Sequence, residues 1–204
     1  MEQLLHIDQT WLVAINNWHA PWADTLMWIV SGKATWLPLY AVLVGLLWWR
    51  CGWKKTLVML AGFGVAVGLS DYISSGIIKH WVCRPRPTHE PALEGLLHIV
   101  NNYRGGHYGF VSSHAANTMS CALLFSLIWK NWKATLPLML WVAMNCYSRM
   151  YLGVHYPGDI VGGLIVGTIM AVIVYRLLQV LFASSALSRL GFEAGEGLVS
   201  TAHS

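Results

Sequence analysis

From residue 160 to residue 183 the chain carries a single charged side chain, Arg176, among Ile, Val, Leu, Ala, Gly and Met. A helix needs about 20 consecutive apolar residues to cross the hydrocarbon layer of a bilayer. No water reaches that layer to satisfy backbone amides, so a spanning segment must be a helix or part of a closed barrel. The run lacks the apolar–polar alternation of a barrel strand, which leaves the helix. Four further stretches read the same way: 36–49, 56–78, 111–129 and 134–147. The first and last of these four are short, and aromatic ends extend the first. The expected fold is therefore all-α, a polytopic transmembrane helical bundle of about five to six spans.

Ahead of these runs, Leu4, Leu5, Ile7, Trp11, Leu12, Ile15 and Trp18 recur at helical spacing among polar residues. That pattern predicts an N-terminal amphipathic helix lying in the membrane interface, with 1–31 forming an interfacial segment. Pro21 is expected to interrupt it, with a short apolar turn at 26–30 following. Residues 1–9 hold two acids and no basic group, so no cleaved signal peptide is expected. Residues 79–110 are polar and broken by Pro85, Pro87 and Pro91, which predicts an extramembrane loop. The organisation that follows is one membrane-embedded domain over 1–183 and a flexible C-terminal tail over 184–204.

Composition supports a membrane solvent. Hydrophobic residues make up 56% of the chain and charged residues only 11%, against about 25% charged in soluble domains. The net charge of +4 comes from scarce acids, and no basic run suggests nucleic acid as a partner. Cys51, Cys83, Cys121 and Cys146 form no CxxC pair, so neither a disulfide framework nor a zinc site is expected. The thirteen basic residues divide seven (Arg50, Lys54, Lys55, Lys130, Lys133, Arg176, Arg189) against six (Lys33, Lys79, Arg84, Arg86, Arg104, Arg149) between the two membrane sides. If Lys79, Arg84, Arg86 and Arg149 serve chemistry, the first side is cytoplasmic under the positive-inside rule. Gly64 with Gly68, and Gly163 with Gly167, have the spacing that lets helices approach closely, and packing within one bundle accounts for both pairs.

Three polar clusters flank the apolar runs on what the span count makes a single membrane face. Lys79 is followed after six residues by Arg86-Pro87. Ser112-Ser113-His114 opens the 111–129 run. Ser148-Arg149 is followed after five residues by His155 and after three more by Asp159. Three cations, two hydroxyls, two imidazoles and one carboxylate suit a phosphate. Arg and Lys supply charge-assisted hydrogen bonds to its oxygens, and a helix N-terminus at the serines favours an anion. One of those serines is equally suited to be a helix N-cap. His155, with Asp159 holding its second nitrogen, is placed to be a nucleophile, and His114 to act as acid and base. No cluster of acids is present to hold a catalytic metal, and no cofactor is expected. Asp71 falls on one helical face with Ser75 and Lys79, and a supporting role inside the bundle is expected for it.

In order and spacing these clusters resemble the three signatures of the type 2 phosphatidic acid phosphatase superfamily, over Lys79 to Asp159. The resemblance implies a helical bundle with its site at the outer or periplasmic face of the inner or plasma membrane. It also implies catalysis by His155, His114 and Asp159, with phosphate bound by Lys79, Arg86, Ser112, Arg149 and the backbone N–H of Ser113. Val111 and Ser113 stand where that family usually has Pro and Gly. Arg84-Pro85 is a second Arg-Pro pair with the wrong spacing from Lys79. The function expected is metal-independent hydrolysis of a phosphate monoester or diphosphate on a membrane lipid, through a phosphohistidine. Candidate substrates are undecaprenyl diphosphate, phosphatidylglycerophosphate, phosphatidic acid and lipid A phosphates. Two other readings compete: a non-catalytic lipid-phosphate binder or transporter, and oxidation with bound vanadate, suggested by kinship to vanadium haloperoxidases.

Overall fold

The computed structural model describes residues 2–184; the expected C-terminal tail lies outside the described residues but for Ser184. Within them the regular structure is helical. Helix α1 (Glu2–Asn16) is followed by α2 (Pro21–Ser31), so Pro21 opens a helix where a break and an apolar turn were expected. The reason is local: proline at the first helical position lacks only an N–H that would be unpaired anyway.

Helix α3 (Leu37–Asp71) contains Gly52 at φ 75, ψ 161, a conformation open to glycine, and the helix is broken there into two halves. Both halves face one cavity, Tyr40 and Leu47 from the first and Phe63 and Leu60 from the second, so they run antiparallel. The second half continues through a π-helical stretch, Tyr72–Ile78, into the short α4 (Lys79–Val82). Lys79 therefore rides on a helix, and the loop expected from residue 79 begins at Cys83, which ends α4 in the left-handed conformation. Helices α5 (Ser113–Trp129), α6 (Trp132–Tyr151) and α7 (Pro157–Ala183) complete the bundle.

Cross-links between elements give its polarity. The guanidinium of Arg50 lies 4.7 Å from the ring centre of Trp129, so the Gly52 bend and the α5–α6 turn share one end. Hydrogen bonds from Lys79 to Ser113 and from Arg84 to Asp159 put the start of α5 and the start of α7 together at the other. Among the described residues two stretches can cross a membrane by length and composition, Ala34–Val82, counted through the bend, and Pro157–Ala183.

Leu43, Leu47, Met59, Phe125, Ile128 and Val174 belong to the main core, drawn from α3, α5, α6 and α7. Helix α7 lies against α5 at glycine. A Cβ on Gly163 would meet the Ser112 carbonyl oxygen at 2.4 Å, and one on Gly167 the Ala116 carbonyl oxygen at 2.3 Å. No such approach is made at Gly64 or Gly68, where a Cβ would meet nothing within 4 Å among the described residues. Only the second pair does what the spacing suggested. Helices α1 and α2 cover the polar end of the bundle. Leu12 packs with Leu93 and Tyr156, and Met27 with Val100, Tyr151 and Leu152. The amphipathic pattern of α1 thus has a protein-facing side, while Trp11 and Ile7 remain exposed.

Candidate active site

The α6–α7 corner carries the centre of the site. Gly153, at φ 68, turns the chain out of α6, and Tyr156 caps α7 ahead of Pro157. Asp159, three residues into α7, closes a capping box by accepting the Tyr156 N–H at 3.0 Å. The same carboxylate oxygen lies 3.3 Å from Nδ1 of His155. An ionised carboxylate only accepts, so Nδ1 carries the proton and Nε2 keeps its lone pair. His155 is 1% exposed and Asp159 fully buried. Burial first, and then the positive charges of Arg86, Arg149 and Lys79, press the His155 pKa well below the usual histidine value. The imidazole is held neutral, with its free nitrogen among cations.

Those cations share a feature: among the described residues none is paired with a carboxylate. Lys79 donates to the Ser113 hydroxyl at 2.9 Å, and Ser113 in turn shares a 2.6 Å hydrogen bond with Ser75. The widened π-helical turn before Lys79 holds both Ser75 and the path to Ser113, and such turns are frequent at functional sites. Arg86 donates to the carbonyl oxygens of Tyr108 (3.1 Å) and Val154 (3.4 Å). Arg149, 3% exposed, donates to the hydroxyls of Ser31 and Tyr103, and its buried Nε has no partner. Buried cations without counter-ions are costly, and a dianion bound among them removes that cost.

Behind the imidazole the arrangement is the reverse. Arg84 donates to Asp159 at 3.0 Å and to Asp8 at 2.7 Å, and its guanidinium lies 3.9 Å from the ring centre of Tyr156. Asp8, from α1, also accepts the Gly158 N–H at 2.7 Å. A small antiparallel pairing of Arg84–Arg86 with 107–109 fixes this strip. The Arg86 N–H donates to His107 and the Gly109 N–H to Arg84, both at 2.9 Å. Gly109 passes so close that a Cβ would meet the Asp159 carboxylate at 2.9 Å.

The structure brings His155, Asp159, His114, Lys79, Arg86, Ser112, Ser113 and Arg149 to one end of the bundle. Ser112, fully buried, is the N-cap of α5; its hydroxyl accepts the Ala115 N–H and its own N–H donates to the Asp159 carbonyl. Ser113, one residue on, presents its hydroxyl to Lys79. The ring of His114 meets the backbone of Ser31. Sequence spacing set Arg84 aside, placed Ser75 on the Lys79 face only as part of a supporting row with Asp71, and gave no sign of Asp8, Ser31 or Tyr103 as neighbours of the site. His98, Arg104 and His107 serve the loop: His98 bonds Asp24 and stacks on His19, and Arg104 bonds the Thr88 carbonyl. His107 packs against Tyr108. Asp71 accepts from Asn117 at 3.0 Å, an interhelical bond that fits the supporting role expected of it.

A helical bundle that gathers a buried histidine among cations with no carboxylate partner among the described residues is suited to holding a phosphate, and comparison names the family. Residues 56–183 match the family model described as the PAP2 superfamily, and the chain belongs to that family. It is 37% identical over 169 residues to a lipid A 4′-phosphatase of Bacteroides thetaiotaomicron, covering 82% of this chain and 75% of that protein. A lipid A 4′-phosphatase of Porphyromonas gingivalis is 33% identical over 177 residues, 87% of this chain and 75% of that one. The fold is also that of the PAP2-type phosphatidylglycerolphosphate phosphatase of Bacillus subtilis, with a TM-score of 0.64 and 21% identity over 87% of both chains. The protein is a membrane-embedded phosphatase.

Proposed function

We propose that the protein removes phosphate from a membrane lipid through a phosphohistidine on His155, and that a phosphate monoester of the lipid A type is its first candidate substrate. The observation that carries the reaction is the pairing of a neutral, Asp159-held imidazole with Lys79, Arg86 and Arg149, none of which has a carboxylate partner among the described residues. The kinds of relative it has carry the substrate. Phosphate oxygens sit among the three cations, the Ser113 hydroxyl and the free N–H groups at the start of α5. Nε2 of His155 attacks phosphorus as the bond to the lipid oxygen breaks, and His114, which takes up a proton when the anionic substrate binds beside it, gives that oxygen the proton. His114 then takes a proton from water as the water attacks the phosphohistidine. The N–P bond breaks, inorganic phosphate leaves, and the imidazole returns to its neutral state. Asp159 steadies the positive charge on His155 between the two steps.

The reading includes an orientation. The antiparallel halves of α3 with α5, α6 and α7 make five crossings, with α1 and α2 in the interface at the site end. Exposed Trp18, Trp22 and Trp81 at that end, and Trp49, Trp53 and Trp132 at the other, are where interfacial rings are expected. The site then faces the outer or periplasmic side. A cavity of about 500 Å³ between the halves of α3 and α5 is apolar along Leu43, Leu47 and Phe63 and ends at His114, which suits a lipid chain.

Phosphate release by the purified protein in detergent tests this, with lipid A, phosphatidylglycerophosphate, phosphatidic acid and undecaprenyl diphosphate compared and His155→Ala alongside. Release by the wild type alone, with an acid-labile phosphoenzyme trapped from it, is the expected result. Lipid binding without release by either protein would favour a non-catalytic lipid-phosphate binder.

A further inference from the structure

Three cations surround His155, but a fourth stands apart from them. Lys33 follows α2 and lines the cavity that ends at His114. It interacts electrostatically with His114 and with Tyr103, whereas the groups acting most strongly on His155 are Arg86, Arg149, Lys79 and His114. Its place is therefore on the His114 side of the site. The side chain is exposed and has no hydrogen-bond or ion-pair partner among the described residues. Its root is held firmly. A Cβ on the preceding Gly32 would meet the Thr35 hydroxyl at 2.9 Å and the Ile29 carbonyl at 3.1 Å, and the Gly32 N–H donates to that carbonyl.

In the reaction above His114 protonates the leaving oxygen, so the first atoms of the leaving group lie between His114 and the cavity. That is where Lys33 is found. Elsewhere the cavity is lined by Leu43, Leu47, Leu60 and Phe63 and by uncharged polar groups, Tyr40, Thr118 and Asn145 among them. Among the described residues that line the cavity, Lys33 is the one lysine, arginine or carboxylate, and it supplies a free positive charge at the end where His114 lies.

We infer that Lys33 is a specificity-determining residue that binds a second anionic group on the leaving side of the scissile bond, a lipid-linked phosphate or a sugar carboxylate. This rests on the lipid-phosphatase reading. A lipid diphosphate presents such a group directly, because loss of its terminal phosphate leaves a lipid monophosphate at the position of Lys33. A glycolipid presents one when an acidic sugar is attached to the phosphorylated glucosamine. A lipid with one phosphate and no other acid presents none.

The test is kcat and KM for two substrate pairs: isoprenyl diphosphate against isoprenyl monophosphate, and lipid A with against without an acidic sugar on the phosphorylated glucosamine. Wild type, Lys33→Gln and Lys33→Arg are compared in the same micelles. At least one pair should show a wild-type preference for the more acidic lipid of about tenfold in kcat/KM, the scale of a charge-assisted contact. Lys33→Gln should collapse that ratio to within about threefold, mainly through KM, and Lys33→Arg should keep most of it. The pair that responds tells phosphate from carboxylate. Equal losses on both members of each pair, as general attraction to anionic lipid would give, overturn the assignment, and so does an unchanged ratio. If the wild type releases phosphate from none of the four lipids, the lipid-phosphatase reading falls and takes this one with it. Wild-type turnover with no effect of Lys33→Gln removes only the lysine.

Discussion

The two sides of the His155 imidazole are built on opposite electrostatic plans. Behind it, Arg84 lies between Asp159 and Asp8, the Tyr156 and Gly158 N–H groups are bonded to the same acids, and every charge has a counter-charge. In front, Lys79, Arg86 and Arg149 have only hydroxyls and carbonyls for partners among the described residues, and one buried guanidinium nitrogen has none there. A paired network in low dielectric fixes geometry, since breaking one member strands another. An unpaired one holds attraction in reserve for a ligand. The comparison predicts that the front should be sensed as phosphate binding and transition-state charge, and the back as orientation of one ring.

Substitutions order themselves along that difference. His155→Ala removes the proposed nucleophile and should abolish release, by about 10⁴-fold or more. Asp159→Asn keeps the shape of the back but offers the ring a donor, so kcat should fall by roughly 10³–10⁴, as a wrong tautomer does elsewhere. Arg149→Ala takes away a front cation and should cost on the order of 10²–10³ in kcat/KM, with Lys a poor substitute for the fork. Arg84→Gln leaves Asp159 bonded to Tyr156 and should lower kcat only by about 10–100-fold with KM little changed. A KM-dominated loss at Arg84 would place it with the front and break the comparison. All four are read from phosphate-release kinetics on one lipid in one detergent.

A smaller effect sharpens the contrast through pH. Burial, then Arg86, Arg149 and Lys79, hold the His155 pKa below its ordinary value, so falling pH protonates the free enzyme only well below that value. Removing the charge of Arg149 lets the pKa rise, and the acid limb of kcat/KM should move to higher pH in Arg149→Ala. The limb should shift less in Arg84→Gln, because Arg84 is not among the charges acting most strongly on that ring. Equal shifts in the two variants would show that front and back are not electrically distinct.

Much of the site could be read from spacing because each signature sits at the end of an apolar run, and runs of that length fix which residues share a membrane face. The N-cap at Ser112 and the Asp159 carboxylate in the first turn of α7 then do locally what those residue types favour. Arg84 and Asp8 were not legible. One is two residues from a better-spaced arginine, and the other is an acid on an amphipathic helix far away in sequence; only the docking of α1 onto the α6–α7 corner joins them. The glycine pairs teach the same lesson. Their spacing is identical, yet Gly163 and Gly167 meet the backbone of α5 while Gly64 lines a cavity.

By itself, then, the sequence determined the helical class and the end of the bundle where its polar clusters gather, because hydrophobic run length and residue chemistry are one-dimensional properties. The tertiary structure decided which cations are paired and which are left for a ligand, what lies behind the nucleophile, and where a cavity opens beside His114. Those depend on how helices distant in the chain approach one another, and close packing is settled by shape in three dimensions.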